Sequence, residues 1–249
     1  MLPELGQEAF ASFFAPVKAA FLPEIFLALI ITYLLAILAI EMGNGRSKKL
    51  LALESLPALR EALSYVMILY AVELIHGTAS YMFSGYAQSN SYTIAMKLLT
   101  VICGYYVLVN SEKFLYEHPR HLLEYPIVMV LAILFMTLLV GAAHLISAFI
   151  ALIGFSLNLY VLILFDAPSA MAREAGIKYF YLSAFSSGLM LYGIFLLFFV
   201  FGTGHFRDMN QIILTNSEIL SSGYRLLLCG VIFLLIGLFF KLSAFPGHL

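Results

Sequence analysis

Hydrophobic positions fall in long runs broken by short polar links, rather than alternating as in strands or marking one face of short surface helices. The runs are Ile25 to Met42, Ala62 to Phe83, Ser91 to Val109, Tyr125 to Ala142, His144 to Phe165, Ile177 to Phe201 and Leu226 to Ala244. A helix needs roughly 20 mostly apolar residues to cross the hydrocarbon core of a bilayer, and each run is close to that length. The pattern predicts an all-α polytopic membrane protein with about seven transmembrane helices. Gly43-Asn44-Gly45 stops the first helix, and Arg46, Lys48 and Lys49 hold its end at the membrane surface. Ser84, Gly85, Gln88 and Asn90 join the second and third spans, and a charged connection runs from Ser111 to Glu124. Almost nothing separates the fourth span from the fifth, which predicts a tight helical hairpin. The links Asp166 to Glu174 and Gly202 to Tyr224 are polar. Ahead of the first run, Phe10, Phe13, Phe14, Val17 and Phe21 recur at near-helical spacing. Residues 1–24 are read as an N-terminal interfacial segment, with a frayed terminus as the alternative, and residues 25–249 as the membrane domain.

Composition agrees with this. Of 249 residues 63% are apolar and 11% charged, and mean hydropathy is +0.99, which excludes an ordinary soluble domain. A formal charge of -1 leaves no footprint for nucleic acid. Cys103 and Cys229 lie in apolar stretches without ligand spacing, so neither a disulfide framework nor a metal site is predicted. No cofactor is expected in this chain; lipids are expected around it. The opening residues carry Glu4, Glu8 and Lys18 but no Arg, unlike a presequence, and they lack the layout of a secretory signal. An organelle-encoded or bacterial inner-membrane protein fits them better. Arg46, Lys48, Lys49, Arg60, Lys113, Arg120 and Arg173 follow odd-numbered spans, whereas Lys18, Arg207 and Arg225 lie on the other face. The bias of basic residues toward the inside puts the N-terminus outside.

Charges at bilayer depth cost roughly 2.5 to 3.5 kcal/mol each on insertion scales and mark functional candidates. Lys241 follows fifteen residues without formal charge, Leu226 to Phe240, and precedes Leu-Ser-Ala-Phe-Pro-Gly-His. Pro246 cannot donate to the Leu242 carbonyl, so a helix break is expected about one turn past the lysine, beside protein or a hydrated cavity. His248 lies seven residues on, with a side chain suited to proton exchange near neutrality. Lys178 follows Glu174 by four residues, the spacing of an ordinary helix-face ion pair. Glu73 sits near the centre of the second span with His76 on the same face, and Lys97, about two turns into the third span, is its nearest candidate partner. For Glu73 a proton relay and a structural hydrogen bond between helices are both open. His144 reads as a satisfied or interfacial histidine. Phosphate-cradling glycine loops, HExxH and nucleophile motifs are absent, which leaves ion movement as the chemistry.

Two strings carry a resemblance: Glu174-Ala-Gly-Ile-Lys178-Tyr-Phe-Tyr-Leu-Ser-Ala-Phe-Ser-Ser-Gly-Leu-Met-Leu-Tyr-Gly193, and Ile236-Gly-Leu-Phe-Phe-Lys241-Leu-Ser-Ala-Phe-Pro246-Gly-His248. They resemble the subunit 2 family of respiratory complex I NADH dehydrogenase, and the likeness extends upstream through Leu123 to Ala132 and Ala143 to Ser147. The resemblance implies an antiporter-like subunit of the mitochondrial NADH:ubiquinone oxidoreductase, with inverted five-helix repeats around broken helices. It implies proton-path roles for Lys241, Lys178 and His248, with no redox chemistry in this chain. It also implies partners among the other membrane-arm subunits. The family's fifth-helix glutamate falls on Ile153, so the acid that pairs with the seventh-helix lysine is missing, and Glu73 is one candidate substitute. Chains of the family continue through about seven further helices. The expectation is therefore the N-terminal half of a split subunit in the mitochondrial inner membrane, with a separate polypeptide supplying the C-terminal half. The alternatives are a non-pumping structural subunit of the same complex and a stand-alone cation/proton antiporter.

Overall fold

The computed structural model describes residues 21–44, 48–77, 79–82, 85–117, 124–165, 170–215 and 217–242. Seven long helices among them follow the seven apolar runs: α1 (Leu22–Asn44), α2 (Lys48–His76), α3 (Ser91–Glu117), α4 (Glu124–Val140), α5 (Leu145–Leu164), α6 (Ala170–Phe201) and, after the short α7 (Phe206–Thr215), α8 (Ser217–Lys241). Ser91–Lys113, Leu145–Leu164, Ala170–Phe201 and Gly223–Lys241 are long and apolar enough to cross a membrane, and Leu22–Ile37 and Glu124–Val140 are shorter apolar helices. Large apolar side chains stay exposed along these helices, among them Tyr33, Ile75, Tyr106, Ile150 and Phe199. Lipid rather than protein is the natural cover for such surfaces. The chain divides into two compact units, Met1–Leu123 and Glu124–Leu249.

In the first unit α2 packs against both α1 and α3. Its buried positions are Leu56, Leu59, Leu63, Val66, Tyr70 and Glu73, separated alternately by three and four residues. The facing seam of α3 holds Ile94, Lys97, Val101, Leu108 and Leu115 on the same repeat. This seven-residue periodicity keeps one stripe of each helix turned toward its partner, as in coiled-coil packing. A carboxylate and an ammonium group thus occupy seam positions otherwise filled by apolar residues. The second span does not reach Phe83 as the apolar run suggests. Gly77, at φ 61, ends α2, and the chain turns into an antiparallel hairpin of β1 (Ser80–Met82) and β2 (Ala87–Ser89), with Ser80 opposite Ser89. A positive φ is natural to glycine and stops a right-handed helix whatever the hydropathy beyond it.

In the second unit α4 and α5 form the predicted hairpin. Its turn is fastened to the α6–α7 turn by backbone bonds from Leu145 N to Gly204 O (2.9 Å) and from Phe206 N to Ala143 O (3.1 Å). The stretch Gly202 to Tyr224 is more ordered than its polarity suggests, since it forms α7 and the first turns of α8. Met209 of α7 packs with Leu145, Ile194 and Leu197. Helices α6 and α8 meet backbone to backbone. A methyl group at Gly193 would stand 2.6 Å from Leu234 N and 2.7 Å from Gly230 O, and one at Gly237 would stand 2.7 Å from Ser186 O. Small residues allow this approach, which compensates for the weak hydrophobic drive between helices in lipid.

Candidate functional site in the second unit and a buried ion pair in the first

Lys241 closes α8, and its Nζ donates to Ser156 Oγ on α5 at 2.9 Å. Ser156 is buried, and its hydroxyl hydrogen goes to the Leu152 carbonyl at 2.8 Å, which leaves the oxygen lone pairs free to accept. Tyr179 on α6 is a further side-chain partner of Ser156. Lys241, Ser156 and Tyr179 line a cavity of about 530 Å³ bounded by α4, α5, α6 and α8, together with Lys178, Ser183 and Ser186. The remaining lining is mainly apolar: Met136, Leu139, Leu152 and Phe155 contribute. Two of the three lysines singled out in the sequence thus line one cavity. Their partners differ. Lys178 Nζ pairs with Glu174 Oε1 at 2.6 Å, with side chains 64% and 66% exposed, the helix-face pair that the spacing predicts. Lys241 is held by neutral hydroxyl oxygen.

Ile153, the position where an acid was expected to be missing, lies one turn before Ser156. It lines a smaller cavity of about 140 Å³ with Ser156, Tyr179 and Ser183. Ser156 was not anticipated, because a lone serine in an apolar helix usually returns its hydrogen bond to its own backbone. This one does so and accepts from a lysine as well. His248 and the helix break expected at Pro246 lie outside the described residues. His144 accepts from Ile146 N at 3.1 Å through Nδ1 and so caps α5. Its ring meets His205 edge-on at 4.7 Å, in line with the satisfied histidine expected.

In the first unit the pairing of Lys97 differs from expectation. Its Nζ bonds Glu24 Oε1 at 2.5 Å rather than Glu73, and both side chains are nearly fully buried, at 1% and 8% exposure. Glu24 lies in the first turn of α1, inside the segment that had been read as interfacial. Its partner is 73 residues away in sequence, so no local spacing announces it. The preference for Glu73 rested on a short hairpin, but Gly77 ends α2 before the hairpin, and α1 supplies the nearer carboxylate. Glu73 is also buried and interacts electrostatically with both Glu24 and Lys97. The Phe21 ring stands 5.0 Å from Lys97 Nζ, a cation–π contact.

Residues 142–249 match the family described as NADH:quinone oxidoreductase/Mrp antiporter, transmembrane. NADH-quinone oxidoreductase subunit N of Pelagibacter ubique is 33% identical over 92% of this chain and 45% of its own length. Subunit N of Bartonella bacilliformis is 34% identical over 92% of this chain and 44% of its own length. The chain spans about half the length of the curated relatives it matches. A chain of respiratory complex I from Thermus thermophilus with bound aureothin shares the fold, with a TM-score of 0.69 and 21% identity over 91% of this chain and 45% of that one. So does a chain of the membrane-bound sulfane sulfur reductase, an archaeal respiratory membrane complex, with a TM-score of 0.64 and 15% identity over 97% of this chain and 46% of that one.

Proposed function

We propose that this chain forms the first part of an antiporter-like membrane-arm subunit of an NADH:quinone oxidoreductase and moves protons there, without redox chemistry of its own. The observation that carries this reading is Lys241. It ends an apolar helix, its ammonium group is bonded to a neutral hydroxyl, and it faces a cavity that Lys178 also lines. An ammonium ion surrounded by apolar groups and hydroxyls is less stabilised than one facing a carboxylate. Ser156 and Tyr179 are hydroxyls that can accept and pass on a proton, and the cavity has room for the water such transfer needs.

The finer reading places the subunit in the mitochondrial inner membrane, oxidising through its complex NADH with ubiquinone, with a separate polypeptide supplying the second half of the fold. Its support is the string resemblance; the relatives cited above are bacterial. Mass spectrometry of the natively purified assembly tests it, since a membrane polypeptide resembling the missing half should co-migrate with NADH oxidation. His248 belongs to the same proposal as a second proton carrier after Lys241. For the proton path itself, Lys241→Met in the intact assembly is expected to lower protons moved per NADH oxidised while assembly is retained. An unchanged ratio would favour the second reading, a non-pumping structural subunit, which the replacement of an acid by Ile153 supports. Migration of the chain alone, without NADH oxidation, would favour a stand-alone cation/proton antiporter.

A further inference from the structure

The first unit holds charges that the proton path through Lys241 does not use. Glu24 on α1, Glu73 on α2 and Lys97 on α3 are each more than nine-tenths buried. Two carboxylates share one ammonium group. Lys97 is committed to Glu24 Oε1 at 2.5 Å, and the Oε2 atoms of both Glu24 and Glu73 have no hydrogen-bond partner among the described residues. If all three groups were ionised, the seam would carry an uncompensated negative charge where the neighbouring positions are Tyr70, Ile94 and Val101. Such a charge is strongly disfavoured in an apolar interior, and a carboxyl group in that position takes up a proton instead. A bound metal ion is a poorer answer, because no group of three or more ligating side chains occurs among the described residues and the ammonium group already occupies Glu24.

We infer that the Glu24–Lys97–Glu73 cluster is a proton-binding site in the first three helices, with the proton on Glu73 and the ion pair between Glu24 and Lys97. The groups facing Glu73 are Glu24 from α1 and Lys97 from α3, with Tyr70 one turn away on α2 itself. All three charged residues lie toward one end of the unit. Glu24 is in the first turn of α1, Glu73 in the last turn of α2, and Lys97 roughly 9 Å along α3 from its start. By the distribution of basic residues along the sequence that end faces outward. The site therefore exchanges its proton with the outer side, and Lys97 can move its pairing between the two acids as the proton moves from one to the other.

Infrared difference spectra of the full chain in its native assembly, reconstituted in lipid at neutral pH, count the neutral acids directly. Wild type minus Glu73→Gln should show one protonated carboxylic acid band. Glu24→Gln should abolish the same band, because Lys97 is then free to pair with Glu73 and ionise it. Lys97→Met should add a second band, since both acids lose their counter-charge. Glu24→Gln and Glu73→Gln preserve side-chain shape, so the count does not depend on the lysine variant assembling. Spectra of wild type and Glu73→Gln that coincide in this region would overturn the inference. So would a band that disappears when Na⁺ or K⁺ is raised at constant pH, which would make the site one for a metal cation.

Discussion

Each unit draws a lysine in among its helices, one fully buried and one half-buried, and the two are treated differently. Lys97 sits in a helix seam at 1% exposure, against a carboxylate at 2.5 Å. Lys241 ends its helix, half-buried beside a cavity, against a serine hydroxyl at 2.9 Å. A carboxylate holds the ammonium form firmly and makes each partner depend on the other. A hydroxyl holds it weakly and leaves little behind when the lysine is gone. The same residue type thus meets a carboxylate in one place and a neutral hydroxyl in the other, and on the proposed function the nature of the acceptor separates a fixed counter-ion from a proton carrier.

The contrast breaks most readily at Lys97. Lys97→Met removes the cation from two buried acids and should cost about 3–5 kcal/mol, read as a lower midpoint of thermal unfolding in detergent. A cost below 1 kcal/mol would make the two lysines equivalent. Next is Ser156→Ala, which removes a hydrogen bond to a charged donor. Because Lys241 is half-buried beside a cavity, the loss should lie near the low end of the usual range, at about 1.5 kcal/mol. The same substitution should slow proton movement, and solvent isotope effects on the transfer step would show whether the hydroxyl takes part. Ser156→Asp sharpens the comparison by giving Lys241 the kind of partner that Lys97 has. A fixed counter-charge should then hold the lysine and slow proton movement; an unchanged rate would remove Lys241 from the path. The smallest effect is expected for Lys241→Met, below about 1 kcal/mol on stability, because Ser156 keeps its bond to the Leu152 carbonyl.

The helices were the most legible part of the sequence, because lipid demands long apolar stretches and charges at their ends announce the boundaries. Where hydropathy failed, a local backbone feature had overruled it. Tyr81 and Met82 look like the continuation of a span, but Gly77 had already ended the helix. The stretch holding Phe206, Met209 and Ile213 looks like a polar loop, yet its few apolar residues recur at helical spacing and Met209 anchors it. The site was half legible. Lys241 and Lys178 stood out as cations beside apolar runs, whereas Ser156 is neutral and unremarked in its helix. Glu24 directly precedes the first apolar run, where a charge is ordinary, and only the packing of α1 brings it to α3. Pairing across 73 residues is a property of the tertiary fold, and helical periodicity carries no record of it.

The buried pair between α1 and α3 also bears on how the chain enters a membrane as it is made. Glu24 arrives with the first helix and Lys97 only with the third, so during synthesis the acid waits through the emergence of α2 without its cation. Each charge alone opposes insertion, and pairing offsets part of that cost. The first helix is therefore held only provisionally until the third arrives. The three helices become committed to the bilayer as a group, and a nascent chain arrested before Lys97 should remain extractable or be retained by the insertion machinery.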